Sequence, residues 1–419
     1  MQEFDAIIIG GGPAGATAAA TLAMRGRNVV VLEREHFPRY HVGESMMPYC
    51  YYTLERLGLI EQMNAQNFTK KYSVQFASAN GKMSQPFYFF QHYDHPSSTT
   101  WQIWRDRFDL MLLNNARDKG ATVHEGMTVR EVIQEEGAAV GVRAVDEDKK
   151  VYEFRAPMTI DCSGRSALFA GQQKWKVRDP ELNKIAIWTY YKGAKRDEGY
   201  DEGATTVAYI PDKGWFWYIP LPDDIVSVGV VAEADYLYRD GRDLEAIFQR
   251  EVKENPWVEE HLAPGTVCDQ YRVTAEFSYR AKHCASDGIV LAGDAFGFLD
   301  PVFSSGLFLA LRGGEMVAEE VDAALSDGDY SAARFEKYGC EMHRGIEAMR
   351  RLVYAFYDTD FTFKTLFMAR PDLRPDVTDC LIGDLWRDYE DLTMELKRFA
   401  KVPEPVEHGA PLVREKITA

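Results

Sequence analysis

The sequence predicts an α/β fold: a GxGxxG dinucleotide-binding domain built from separated chain segments, an adjacent substrate β-sheet domain, and C-terminal helices. Three observations predict it. A short apolar run, Ala6–Ile9, leads through Gly10-Gly11-Gly12-Pro13-Ala14-Gly15 into the alanine-rich stretch Ala14–Arg25 and a second β run, Asn28–Leu32. That order is a βαβ unit. Strand-like runs recur only far downstream, at Thr159–Asp161 and Ile289–Leu291, too widely spaced for a nucleotide domain of contiguous sequence. Between them, β-branched and aromatic residues concentrate in roughly 73–100 and 171–275.

The boundaries follow from these segments. Residues 1–72, 101–170 and 276–330 form the dinucleotide-binding domain, and 73–100 with 171–275 form the sheet domain on the substrate side. From Gly313 the apolar spacing turns helical (Val317, Val321, Ala324), with few turn signals before Pro371, so 331–401 reads as a helical region. The stretch 402–419, with three prolines and mixed charges, reads as an extended or loosely ordered tail.

Composition narrows the function classes. The 419 residues exceed one ordinary domain. With 65 acidic against 48 basic residues the net charge is −17, which disfavours a nucleic-acid partner. The six cysteines (Cys50, Cys162, Cys268, Cys284, Cys340, Cys380) contain no CxxC, so neither a disulfide framework nor a structural zinc is expected, and a reducing cytoplasm is. The opening MQEFDA is acidic where a signal peptide carries positive charge. Ala6–Met24 is uncharged and long enough to span a membrane, but its four glycines and proline belong to the glycine turn, and no span is expected. His92, Asp94 and His95 cluster without further ligands at a metal spacing; no metal is expected.

In the glycine turn, Gly10, Gly12 and Gly15 allow close approach of a pyrophosphate, with Pro13 and Ala14 opening a helix whose free amides face the anion. Glu33, 23 residues after Gly10, ends the second strand where a carboxylate binds a ribose diol. The run Ile289-Val290-Leu291-Ala292-Gly293-Asp294-Ala295 ends a strand with Asp294, placed to bond a ribityl hydroxyl. Together with Arg105 in Trp104-Arg105-Asp106-Arg107-Phe108-Asp109 and with Asp161-Cys162-Ser163-Gly164, this set resembles flavin monooxygenase-like proteins and implies FAD. No second GxGxxG appears. Either NAD(P)H visits the flavin transiently, or a separate NAD(P)H-dependent flavin reductase supplies FADH2.

Two further motifs, Trp215-Phe216-Trp217-Tyr218-Ile219-Pro220 (WxWxIP) and Phe298-Leu299-Asp300-Pro301-Val302-Phe303-Ser304-Ser305-Gly306 (FxxPxxSxG), make the sequence resemble the flavin-dependent halogenases, and most closely their pyrrole and phenol branch. The segment Phe37-Pro38-Arg39-Tyr40-His41-Val42-Gly43-Glu44-Ser45 and the segment Phe68-Thr69-Lys70-Lys71-Tyr72-Ser73 fit the same branch. Alternation puts Trp215, Trp217 and Ile219 on one face of a strand that Pro220 ends. The resemblance implies that Trp215 and Trp217 shield the flavin, so that a flavin hydroperoxide does not hydroxylate the substrate directly. It further implies chloride or bromide at Ser305 and Gly306, Leu307 against the flavin, and Arg39 and Ser45 among the cofactor-binding residues. Phe303 stands where tryptophan halogenases carry glutamate, which disfavours free tryptophan as substrate.

By the same resemblance Lys71 is the catalytic residue, receiving hypohalous acid and presenting electrophilic halogen to the substrate; an amine depressed by burial suits this. Lys70 is the competing choice, and Ser73 departs from the glycine usual two places after this lysine. The implied activity is oxygen-dependent halogenation of an electron-rich aromatic, a pyrrole or phenol, free or tethered to a carrier protein. The alternatives are an aromatic monooxygenase or geranylgeranyl-reductase-like enzyme on the same fold, and a non-catalytic flavin-binding protein. The basic run His343–Arg351 reads as a solvated helix face, or as a dock for an acidic carrier protein.

Overall fold

The computed structural model describes residues 2–211, 214–275 and 278–413. Its nucleotide-binding side is a six-stranded sheet ordered Ala285–Ser286, Ile289–Leu291, Met158–Asp161, Ala6–Ile9, Val29–Leu32, Thr122–His124, with only the first strand antiparallel. Near-continuous apolar runs suit such strands because both faces are covered. The glycine loop, Cys162, Gly293 and Glu33 all follow the carboxyl ends of these parallel strands, where α/β folds bind ligands.

The loop's geometry requires glycine. Gly10 has φ +96°, and a Cβ there would lie 2.5 Å from the Cys162 carbonyl oxygen; on Gly15 it would lie 1.9 Å from that of Gly10. The helix that follows, Pro13–Met24, starts on a proline and is buried along most of its length. Its alanines let it press against the sheet and against the long helix Ser305–Asp327.

The second large sheet has eight strands. Its centre runs Lys184–Lys192, Ile225–Glu233, Gly214–Leu221, Thr205–Ile210 and Ser73–Ala77. Alternation splits Gly214–Leu221 as expected: Trp215, Trp217 and Ile219 join the core shared with the nucleotide side, whereas Phe216 and Tyr218 pack toward helices Leu244–Val252 and Pro256–Leu262. Pro220 does not end this strand; it pairs with Val226 one position before Leu221, where the ladder reaches its hairpin turn. Residues 89–98 were expected in this sheet. They form two short 3-10 turns instead, and Thr100–Gln102 pairs with Thr69–Lys71 in a separate two-stranded ribbon.

A four-stranded sheet of Gln2–Glu3, Val151–Arg155, Ala138–Val145 and Thr128–Glu135 and a three-stranded sheet of Lys176–Arg178, Tyr279–Ala281 and Gly297–Phe298 complete the β structure. The long helix starts at Ser305, directly after Ser304 in the left-handed region (φ +58°).

One expectation for the C-terminal part is corrected and a second is sharpened. The run His343–Arg351 is a solvated face only in part: Arg344 is exposed, but Arg350 is buried, its Nε donating to Asp179 (3.0 Å) and its Nη1 to Glu347 (3.2 Å), and Arg351 donates to Thr393. The tail is extended but not loose. Gly409 N–H donates to the Lys282 carbonyl (3.0 Å), Cys284 N–H to Ala410 (3.3 Å) and Leu412 N–H to Ala285 (2.8 Å). The tail's remainder, 414–419, lies outside the described residues, as do 276 and 277 at a proposed boundary.

Among the described residues no helix is long and apolar enough to cross a membrane. Nor do three or more His, Cys, Asp or Glu side chains converge as a metal site; His92 bonds Asp379 and His95 bonds Ser97. The six cysteines are unpaired.

Candidate active site

The glycine loop is held by Glu33, a buried carboxylate that accepts from Gly11 N–H (2.6 Å) and Glu35 N–H (2.9 Å). Beside it, Asp109 gathers two arginines. Arg105 donates to both its oxygens (2.8 and 2.9 Å), and Arg39 Nη1 lies 3.2 Å away. Burial alone raises that carboxyl, but Arg105 and Arg39 outweigh it and hold Asp109 below the usual carboxylate range. Arg105 also donates to the Val42 carbonyl (2.9 Å), fixing the turn before Glu44 and Ser45. Arg39 Nη2 sits 3.4 Å from where a Cβ on Gly12 would be, so this cation faces the anion-binding loop, while Arg105 lies against Gly43. A cavity of about 300 Å³ opens here, lined by Arg39, Tyr40, Trp104, Arg105 and Tyr190 among others.

Gly293 (φ +58°) brings the next turn against the loop: its Cβ would lie 2.9 Å from that of Ala14 and 3.7 Å from Ala310 of the long helix. Asp294 therefore sits where the glycine-loop helix and the Ser305–Asp327 helix meet. Its carboxylate has no hydrogen bond among the described residues, and burial raises it to about 6 against the pull of Arg105 and Arg165. The long helix opens with Ser305 fully buried and its hydroxyl unpartnered, Gly306 against the Phe298 ring, Leu307 buried, and no acidic residue in its first turn. A glycine cradle, a ribose-type carboxylate, two arginines and an unsatisfied carboxylate and hydroxyl fit FAD.

Lys71 lies on the ribbon strand Thr69–Lys71 with 1% of its surface exposed. Its ammonium donates to Ser45 Oγ (2.9 Å) and the Met46 carbonyl (3.1 Å). Ser45 Oγ shares a 2.7 Å hydrogen bond with Thr205, which also accepts from Gln102 (2.8 Å). Ser45 thus engages the lysine with its side chain. Burial lowers the Lys71 amine to about 7, only slightly opposed by the Cys50 thiol. Lys70 points the other way, donating to Asn64 (2.8 Å) with its charge 4.7 Å from the Trp101 ring, and lines a separate cavity of about 560 Å³ with Phe68, Tyr72 and Tyr200. Ser73 begins a regular strand and donates to Asp201, so no glycine geometry is needed there.

Trp215 and Trp217 lie along the inner face of their strand, rings tilted by 54° with centroids 6.2 Å apart, and Trp188, two strands away across Ile225–Glu233, extends the row at 6.2 Å from Trp217. Phe303 packs edge-on against Phe356 (5.9 Å) and Phe363 (6.4 Å), and Trp215 abuts Phe356 (6.3 Å). Trp188 and Asp109 escaped the sequence reading. Asp109 was within reach, four residues after Arg105 on one helix face; Trp188 comes from a strand with no motif of its own.

With this geometry in place, the comparisons with known proteins are decisive. A family model described as tryptophan halogenase matches residues 5–100 and 79–369. The chain belongs to the tryptophan halogenase family. It is 30% identical over 408 residues to a 1H-pyrrole-2-carbonyl peptidyl-carrier-protein chlorinase of Pseudomonas fluorescens, covering 92% of this chain and 90% of that protein. It is 29% identical to a 1H-pyrrole-2-carbonyl peptidyl-carrier-protein brominase of Pseudoalteromonas luteoviolacea, covering 91% and 92%. Among solved structures, the flavin-dependent brominase Bmp2 superposes with a TM-score of 0.86 at 26% identity over 95% of this chain and 98% of that one. The myxobacterial chondrochloren halogenase CndH superposes at 0.80 with 30% identity, covering 95% and 96%. The protein is a flavin-dependent halogenase, with FAD as its cofactor.

Proposed function

We propose that this halogenase chlorinates or brominates an electron-rich aromatic ring of the pyrrole or phenol class, a pyrrole carried as a thioester on a carrier protein being the substrate its two pyrrole-specific relatives favour. The observation that carries the proposal is the sealed amine of Lys71, held by Ser45 and Met46 and lowered to about 7. FAD, reduced by a separate NAD(P)H-dependent reductase in the cytoplasm, supplies the oxygen activation that converts halide to hypohalous acid.

The chain's own residues do the rest. Glu33, Arg39, Arg105 and Asp294, with the glycine loop of Gly10, Gly12, Pro13, Ala14 and Gly15, bind and orient the cofactor. Backbone amides at Ser305 and Gly306, at the positive end of a 23-residue helix, hold the halide. Leu307 closes the flavin side, and Trp215 and Trp217 keep the organic ring away from it. The neutral Lys71 amine takes halogen from hypohalous acid, forming an N–halogen bond and releasing water. The ring attacks that halogen; the lysine nitrogen recovers the proton that the ring loses. Regioselectivity comes from holding a mobile oxidant at one atom. Phe303, packed among Phe356 and Phe363, offers an apolar aromatic surface where a glutamate would bind an indole-bearing amino acid.

The test combines purified protein, FAD, a flavin reductase, NADH and halide with carrier-bound pyrrole, free pyrroles and phenols, read by mass spectrometry. Halogenated carrier-bound pyrrole is expected, and Lys71→Ala is expected to consume oxygen without halogenated product. Product at the normal rate from Lys71→Ala removes the lysine from the mechanism. Turnover of free phenols alone removes the tethered substrate.

A further inference from the structure

Tyr357 ends the helix Glu336–Tyr357 between two parts of the site that come from distant chain segments. Its hydroxyl accepts from the Trp215 indole N–H (2.8 Å) and donates to Asp300 Oδ2 (2.8 Å). Asp300 is fully buried. Its other oxygen caps the 3-10 turn Pro301–Phe303 by accepting from Val302 N–H (3.2 Å), and its own N–H donates to Ser278 Oγ (3.0 Å). That turn runs into Ser304, whose left-handed backbone (φ +58°) launches the helix at Ser305. One phenol therefore joins the tryptophan wall to the turn that builds the start of the long helix.

We propose that Tyr357 is a positioning residue for halogenation, locking Trp215 and the Asp300–Ser304 turn into one register so that the wall and the Ser305–Gly306 amides keep a fixed separation. This rests on the reading of Ser305–Gly306 as the halide site and of Trp215 as the shield. Only a phenol suits the place: it accepts from an indole and donates to a carboxylate at the same oxygen. A phenylalanine would leave a buried N–H and a buried carboxylate oxygen unpaired.

The same bridge gives a signature that a merely structural contact would lack. Burial raises Asp300 to about 6; the Tyr357 hydroxyl, the Val302 amide and the Lys184 ammonium oppose it. Lys184 opens the strand Lys184–Lys192, two strands from that of Trp215, lies over the Tyr357 ring (4.7 Å) and is itself bonded to Glu233. Below about pH 6 the carboxyl protonates and becomes a poorer acceptor for the phenol. Loss of the phenol removes one stabiliser of the carboxylate, so an acid limb governed by Asp300 moves to higher pH.

The experiment is steady-state halogenation by FAD-loaded wild-type, Tyr357→Phe, Asp300→Asn and Gly306→Ala enzymes, with halide varied from pH 5 to 8. Hydrogen peroxide is measured beside product. Tyr357→Phe should raise the halide KM about tenfold, lower kcat by less than that, release more peroxide per oxygen consumed, and move the acid limb upward. Asp300→Asn, which keeps an acceptor for the phenol, should lose that limb. Tyr357→Phe with an unchanged halide KM and limb overturns the proposal, as does an unshifted limb in Asp300→Asn. Gly306→Ala separates the two readings. If its halide KM is unchanged, the halide site itself falls and this proposal with it; if it rises while Tyr357→Phe does not change, only the coupling falls.

Discussion

A lysine sealed from water is costly, and at Lys71 the cost has a definite sign. Burial lowers its folded-state value to about 7 from 10.5, so the unfolded chain binds the extra proton. The penalty begins as pH falls below the unfolded value near 10.5, grows until about 7, and is constant below. Lys71→Met removes it. The variant is expected to resist urea better than the wild type by a few kcal/mol at pH 7, with an advantage that shrinks toward pH 10 and with halogenation abolished. Urea midpoints at pH 7, 8.5 and 10 check this; a pH-independent difference refutes the sealed charge. At this scale much was legible. Lys71 and Lys70 are sequence neighbours, and strand alternation sends one inward and the other to a surface cavity. The Ser45, Met46 and Gln102–Thr205 partners were not, since they arrive from three other segments with no spacing to mark them.

Between elements, close approach of backbones decides what a side chain costs. Gly314 lies in the middle of the long helix where a Cβ would fall 2.3 Å from the Ala14 carbonyl oxygen. Alanine at that point gains about 1 kcal/mol of helix propensity but wedges the helix off the glycine-loop helix, at roughly 1–3 kcal/mol. Gly314→Ala is therefore expected to lower the unfolding midpoint and weaken FAD retention. Gly171→Ala, also helical but with nothing within 4 Å, is expected to be neutral or up to about 1 kcal/mol stabilising. Equal effects from the two would refute the packing argument. The βαβ unit was legible because glycine spacing and apolar runs act locally. The pairing of Thr100–Gln102 with Thr69–Lys71 was not, because three-residue strands take their partners from the surrounding fold rather than from their own pattern.

Across the whole molecule the nucleotide-binding sheet depends on chain that arrives last. Its strand Ile289–Leu291, which leads to Asp294, is preceded by residues 282–285, and these are bonded by the tail at Gly409, Ala410 and Leu412. The tail reaches them by crossing the helix Glu336–Tyr357 at Gly339, where a Cβ would lie 2.2 Å from the Gly409 oxygen. Gly409 holds φ +101°, a conformation that alanine resists. Three prolines and mixed charges left the tail extended or loosely ordered, because backbone-to-backbone anchoring carries no side-chain signature. Truncation after Lys401 leaves three backbone contacts unmade beside the Asp294 strand, and Gly409→Ala disturbs the same strap without removing it. Both should release FAD at a lower temperature than the wild type, the truncation by more, with flavin fluorescence during heating as the readout. Identical release temperatures in all three proteins would mean that the strap only covers the sheet edge and does not support the cofactor-binding turn.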